Sequence, residues 1–364
     1  MKKRTANQTF GLIGFCILGT VLCVATALAA DPPQVKRSSD RISVSYWPDA
    51  AESVPLDGLF EAIDKEVAQT VPEKRSFDLS GMNDAVLAKI CETYPEIKGL
   101  KLDNSRDGSN GFVGITTLNP LKKLTKLTEV ELKSFGKPHD ITLEPLMAAT
   151  GLEKLEIEKM KGVDLAAVGK LSSLKHLALR SNGVSDISWV SSLSNLNYFT
   201  VNIEPIADFS PIAKTPVVSM GIISCKDVNL TFLNGMPTLT HLTLRNVEKP
   251  INWQELGKLP NLKTLTLESI AAKGGDPVDL SFLAKLPKLT HLYLAKSTVS
   301  NFEAITNCST LTNIALDGTQ GVTTLVPIKP LENLSSVTVS KGAFSENDLS
   351  GFKSKRLKQP LKPR

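Results

Sequence analysis

The sequence contains no Gly-Lys-Ser/Thr phosphate loop, no HExxH, no G-x-S-x-G and no CxxC. Nothing in it therefore spells out nucleotide, zinc-hydrolase, serine-hydrolase or thiol-redox chemistry. Cysteine is sparse, with five in 364 residues. Cys16 and Cys23 lie in an apolar run near the N-terminus; Cys91, Cys225 and Cys308 are far apart, odd in number and lack metal-ligand spacing. That pattern fits buried, inert thiols, with one disulfide plus one free thiol as the open alternative. Histidine is scarcer still, with four. A strong charge bias is missing too, since 42 basic residues face 37 acidic ones. Residues 353–364 hold six basic residues and no acid. The remainder after residue 30 is then slightly acidic, with no basic stripe of the kind nucleic acid requires. The tail reads as a solvated terminus.

The N-terminus has a clear signature. MKKR precedes an apolar run over residues 10–30 that ends in Ala-Leu-Ala-Ala before Asp31. A basic start, an apolar centre and small residues at the junction describe a secretory signal peptide, residues 1–30. Its loss would remove Lys2, Lys3 and Arg4 and bring the formal charge from +5 to +2. The run of 21 residues could also span a bilayer, but its Gly, Thr and Ala content favours cleavage. Lipidation is disfavoured because Cys16 and Cys23 follow Phe15 and Leu22, where a small residue is expected. The chain is thus expected to be exported, to the periplasm, the cell surface or the medium. It would touch a membrane only through this segment if it were retained.

Beyond the leader the dominant feature is repetition. The pattern L-x-x-L-x-L recurs as LTEVEL (127–132), LEKLEI (152–157), LKHLAL (174–179), LTHLTL (239–244), LKTLTL (262–267) and LTHLYL (289–294), with further copies between and around these. Starts at 97, 127, 152, 174, 196, 218, 239, 262, 289, 311 and 334 give a usual step of 22. The copy at 218, VSMGII, is degenerate. No single unit can bury its leucines alone, so stacked units must share one core, with a half-buried strand in each. Longer steps after 97, 127 and 262 predict loops. Ahead of the series, residues 77–79 predict a strand and residues 83–94 a helix.

The unit LKHLALRSNGVSDISWVSSL, residues 174–193, resembles the 22-residue repeat of bacterial internalin-like leucine-rich repeat proteins through Leu177, Leu179, Asn182, Val184, Asp186 and Ile187. The resemblance implies an α/β solenoid: a curved horseshoe with a parallel β-sheet on the concave face and short helices or 3-10 turns on the convex side. It implies recognition rather than catalysis. One departure stands out. The family's inward Asn, which bonds backbone groups between turns, is Asn182 here but becomes Glu204, Ser297 and Thr319 in other repeats. A less uniform convex side is expected. The implied layout is a linker and helical cap over 31–74, with an amphipathic helix within 49–71. Repeats follow over 75–341, then a C-terminal cap and basic tail over 342–364.

Residues between the inward leucines should line the concave face in three rows. Early repeats place an acidic patch there, Glu129, Glu131, Glu156 and Glu158, interleaved with Lys133 and Lys154. The middle of the face is the better binding candidate, because interface centres favour Tyr, Arg and Met over Lys and Glu. The candidate residues are His176, Arg180, Tyr198, Asn202, Met220, His241, Arg245, His291 and Tyr293. His176, His241 and His291 share one register, but three and two repeats separate them in turn. At one strand spacing per repeat these are gaps of about 14 and 10 Å, too wide to share a metal. His139 falls in an inserted loop. DNSRDGSNGFVG, residues 103–114, starts like a calcium loop but ends in Gly114 where a bidentate acid is required; it reads as a turn. No catalytic residue, metal or cofactor is expected. The expected function is non-enzymatic binding of a protein partner by a monomer, with envelope scaffolding as the alternative.

Overall fold

The computed structural model describes residues 34–45, 56–105, 114–135, 141–248, 250–271, 275–350, 352 and 357–358. Met1–Asp31 and Pro32–Arg364 are separate units. The first, with the proposed signal peptide, lies outside the described residues, as do His139, most of the calcium-like loop and most of the basic tail.

The second unit is a solenoid. Its strands are β1 (Gln34–Ser38), β2 (Arg41–Ser45), β3 (Ser76–Ser80), β4 (Gly99–Asp103), β5 (Glu129–Lys133), β6 (Lys154–Glu158), β7 (His176–Arg180), β8 (Tyr198–Asn202) and β9 (Ser219–Ile223). They continue as β10 (His241–Arg245), β11 (Thr264–Glu268), β12 (Val278–Asp279), β13 (His291–Tyr293), β14 (Val299–Ser300), β15 (Asn313–Leu316), β16 (Ser336–Val339) and β17 (Leu357–Lys358). Fifteen of them form one sheet in sequence order, leaving β12 and β14 as a separate pair. From β2 onward each neighbour runs parallel. Only β1 is antiparallel, as the first arm of a hairpin. That hairpin stands where a linker was expected; Ile42 and Val44 alternate inward and are fully buried, so the core begins earlier than the leucine pattern does.

From β4 to β15 the strands of the long sheet are each followed by a 3-10 turn before the chain reaches the next strand of that sheet. Several turns start with proline at their first or second position, as in Asn119–Lys123, Glu144–Ala148 and Ser210–Lys214. There the ring presets φ and no amide partner is lost. Leucines from strand, turn and return interlock in one continuous core. Helices occur early: α1 (Leu56–Val67) within the stretch expected to be helical, and α2 (Asp84–Thr93), whose first turn is capped by Asn83 accepting from Val86 N. A short α3 (Glu346–Leu349), capped by Ser345, follows the last repeat.

The position of the family's inward asparagine is polar but chemically mixed. Asn182 accepts from Met160 N and donates to Ile157 O. Glu204, only 2 % exposed, accepts from Asn182 N at 2.7 Å and Val184 N at 2.8 Å. Ser297 donates to Leu267 O and accepts from Ile270 N, and Thr319 donates to Leu294 O. Different side chains thus bond equivalent backbone groups in successive repeats.

Two backbone details matter. Gly321 has φ +86°, and a Cβ there would run into the Val299 carbonyl oxygen. Gly321→Ala is expected to lower the unfolding free energy by more than about 1 kcal/mol, measurable by denaturant titration. In addition, the residue just after the strand is left-handed in repeat after repeat: Ser134, Lys159, Ser181, Ile203, Ser224, Asn246 and Ser269 all have φ between 49° and 60°.

Cys91, Cys225 and Cys308 are free and buried. Burial pushes the Cys91 thiol up to about 12 and Cys308 up to about 11. All three are expected to resist iodoacetamide in the native chain and to react only on unfolding, as mass spectrometry would show.

Candidate functional site

The register fixes which side chains share the open face of the sheet. Across β6 to β8 the first outward row is Lys154, His176, Tyr198, and the last is Glu158, Arg180, Asn202. In β9 the pairing corrects one expectation. Met220 aligns with Leu242 and is 2 % exposed, so it belongs to the core rather than the face. Ser219, Gly221 and Ile223 face outward instead. The reason is a repeat one residue shorter than its neighbours: Val217, Met220 and Ile222 occupy the leucine positions, whereas the spelling VSMGII suggested Val218, Gly221 and Ile223.

The strand-β7 and strand-β8 residues form one cluster. His176 and Tyr198 stack nearly parallel, 4.1 Å between ring centres and 7° between planes. Glu156 on β6 gathers the cations around them: its Oε2 accepts from Arg180 at 2.6 Å and its Oε1 lies 3.0 Å from Lys154. Burial alone would raise the Glu156 carboxyl, but Arg180 and Lys154 hold it below the usual carboxylate range. His176 Nε2 lies 3.7 Å from Glu156, beyond hydrogen-bond reach. Burial pushes the His176 imidazole below its ordinary value, against the opposing pull of Glu156. Two buried side-chain polar atoms of the described residues have no hydrogen-bond partner, His176 Nε2 and Asn202 Oδ1. The first belongs to the stack; the second, on β8, is in register with Arg180. Beneath the cluster the middle row is small, with Ala178 fully buried and Thr200 6 % exposed.

The other candidates sit apart. Arg245 pairs with Glu268 at 2.7 Å. His241 and His291 are two strands apart, with Thr264 between them; at one strand spacing each that is about 10 Å. His176 and His241 are separated by three strand spacings. Among the described residues no group of three or more His, Cys, Asp or Glu converges on a point. His241 and His291 share one local bond pattern. Thr240 Oγ1 donates to Val218 O, and Thr290 Oγ1 to Lys263 O. The same hydroxyls lie 2.7 and 2.9 Å from the Nδ1 of the following histidine. Tyr293 lies beside His291, with ring centres 6.3 Å apart.

At the early end of the face the acidic patch is paired across strands: Lys101 with Glu131 and Lys133 with Asp103, each at 3.3 Å. Sequence reading placed Glu131 and Lys133 on the face but not Lys101 or Asp103, and did not identify Glu156 as the hub. It also missed Ile203 and Ile223, exposed and half-exposed at the end of β8 and β9. The shortened repeat hid Ile223; Ile203 lies outside the strand pattern.

A consecutive parallel sheet, one strand per repeat, with 3-10 turns on the return path defines a leucine-rich repeat solenoid. Its fold is that of the internalin-like bacterial leucine-rich repeat proteins. The internalin (inlF) of Listeria monocytogenes superposes with a TM-score of 0.52 at 21 % identity, over 82 % of this chain and 86 % of that one. Internalin C2 (inlC2) of the same organism is 21 % identical over 70 % of this chain and 93 % of that one, with a TM-score of 0.37. The functional domain of InlJ is 14 % identical over 81 % and 73 %, with a TM-score of 0.44. No protein-family model and no curated protein matches the sequence. Among the described residues no helix is long and apolar enough to cross a membrane.

Proposed function

We propose that this chain is an exported, non-enzymatic recognition protein that binds another protein through the open face of its sheet, centred on β7 and β8. The observation that carries the reading is the coincidence of two orphaned buried polar atoms, His176 Nε2 and Asn202 Oδ1, on adjacent strands beside an aromatic stack. A buried polar atom without a partner costs about 1–3 kcal/mol, and a solenoid has no folding reason to place two such costs side by side on one face. Aromatic side chains and arginine are also the residues that dominate binding energy at protein interfaces. Export rests on the leader-like residues 1–30. Sequencing of the secreted chain's N-terminus is expected to begin at Ala30 or Asp31, and an N-terminus at Met1 would contradict it.

The binding experiment uses the full chain immobilised against envelope and culture-medium fractions. The double variant His176→Ala/Tyr198→Ala is expected to lose captured protein by at least about tenfold while keeping its unfolding midpoint within a few degrees. Undiminished capture would sink the open-face reading.

A further inference from the structure

Asn202 and the next residue, Ile203, carry two unfavourable features in one turn. Ile203 has φ +59° and is 57 % exposed. A branched Cβ fits the left-handed region poorly, and among the described residues Ile203 is the only β-branched residue there. Ser181 before it, and Ser224 and Asn246 after it, fill the equivalent turn with residues that tolerate that backbone or bind water. Ile203 does neither, and its amide donates to Ile223 O, which holds the two isoleucines together. Asn202, in register with Ile223, keeps its Oδ1 buried and unpartnered.

The surroundings have the composition of an interface. Along the last outward row the order is Arg180, Asn202, Ile223, Arg245. Each arginine is already matched, Arg180 to Glu156 and Arg245 to Glu268. An uncharged patch of Ile203 and Ile223 is thus bracketed by neutralised ion pairs, an apolar centre inside a polar rim. Strain that a fold could remove with a single serine persists where function holds it.

We infer that the Asn202–Ile203 turn is an anchor for the protein partner: it takes an apolar side chain on Ile203 and Ile223 and, as the Asn202 amide turns outward, a hydrogen-bond donor on Oδ1. The inference deepens the open-face reading and rests on it, but moves the strongest contact from the centre of the face to the rim where β8 ends.

The test is a displayed random peptide library panned on the full chain, with affinities of selected peptides then measured on Ile203→Ser and Ile203→Val. Selected peptides are expected to carry an apolar residue beside Ser, Thr, Asn, Gln, Lys or Arg. Ile203→Ser, which matches the neighbouring repeats, is expected to weaken them about tenfold while raising the melting temperature by about 2 °C. Ile203→Val keeps both the strain and the apolar surface and is expected to behave as the parent does. Stability and binding moving in opposite directions is a signature that a merely structural residue cannot give. Equal binding to the parent and Ile203→Ser, no selected peptide, or an unraised melting temperature would each overturn the anchor. If those peptides still weaken on His176→Ala/Tyr198→Ala, the open face stands and only the anchor fails; if they weaken on neither variant, both fail. Concentration-dependent self-association that Ile203→Ser abolishes would make the occupant a second copy and overturn the proposal as well.

Discussion

Phe199→Ala is expected to lower the unfolding free energy by about 3–5 kcal/mol, the usual cost of emptying a fully buried aromatic site. Phe199 has no exposed surface and packs in register between Leu177 and Met220, so both neighbouring repeats lose contacts. The backbone on either side is tied into a parallel ladder and cannot collapse into the gap. In a solenoid each repeat is stabilised through its two neighbours, so a void in the middle also weakens the coupling between the halves. Denaturant titration is expected to show the lower midpoint together with a broadened transition. A loss under about 1 kcal/mol would mean that β8 is not packed as described.

Glu204→Ala is expected to cost about 2–4 kcal/mol, although it removes no large apolar group. The carboxylate serves Asn182 N, Val184 N and, at 3.1 Å, Asn182 Nδ2. Alanine leaves these donors buried and short of an acceptor, each at a cost of about 1–3 kcal/mol where water cannot enter. Glutamine keeps the shape but turns an N–H toward N–H donors, and should recover only part of the loss. The pH dependence has a definite sign. Burial pushes the Glu204 carboxyl above its ordinary value, against the pull of the backbone N–H groups that bind it. The folded chain then holds this proton more tightly than the unfolded chain. The cost of burying the charge is present above the raised value and is relieved as pH falls through it toward about 4.3. The stability difference between the parent and Glu204→Ala is therefore expected to widen over that window as pH falls. Equilibrium unfolding of both at a series of pH values reads the difference directly, free of the other carboxylates common to both. A narrowing difference would show that hydrogen bonding to the anion outweighs burial.

The architecture was legible because its cause is periodic. Leu177, Leu242 and Leu292 recur with the repeat and fall on equivalent inward positions, and register follows wherever the step is regular. It failed at β9, where one missing residue shifted the alignment and put Met220 on the wrong face; a period-two strand turns over entirely with a single slip. The hairpin of β1 and β2 was hidden because its inward residues are Ile42 and Val44 in a short segment without leucines. The site was legible only as a list. His176, Arg180, Tyr198 and Asn202 could be placed in rows, but the pairing of Arg180 with Glu156 and the stacking of His176 on Tyr198 depend on side-chain reach between repeats. The strain at Ile203 depends on a backbone angle, which a letter alone does not carry.

The most direct measurement of whether this face recognises a protein is site-specific photo-crosslinking. A photoreactive residue replaces Tyr198 on the open face in one version of the full chain and Ser188, at the start of the Ser188–Ser192 turn, in another. Both are exposed to light in the source organism's envelope and culture-medium fractions. A discrete adduct from position 198 alone, suppressed by excess unlabelled chain, is the predicted result. Adducts of equal strength from both positions, or from 188 only, would contradict recognition through the sheet.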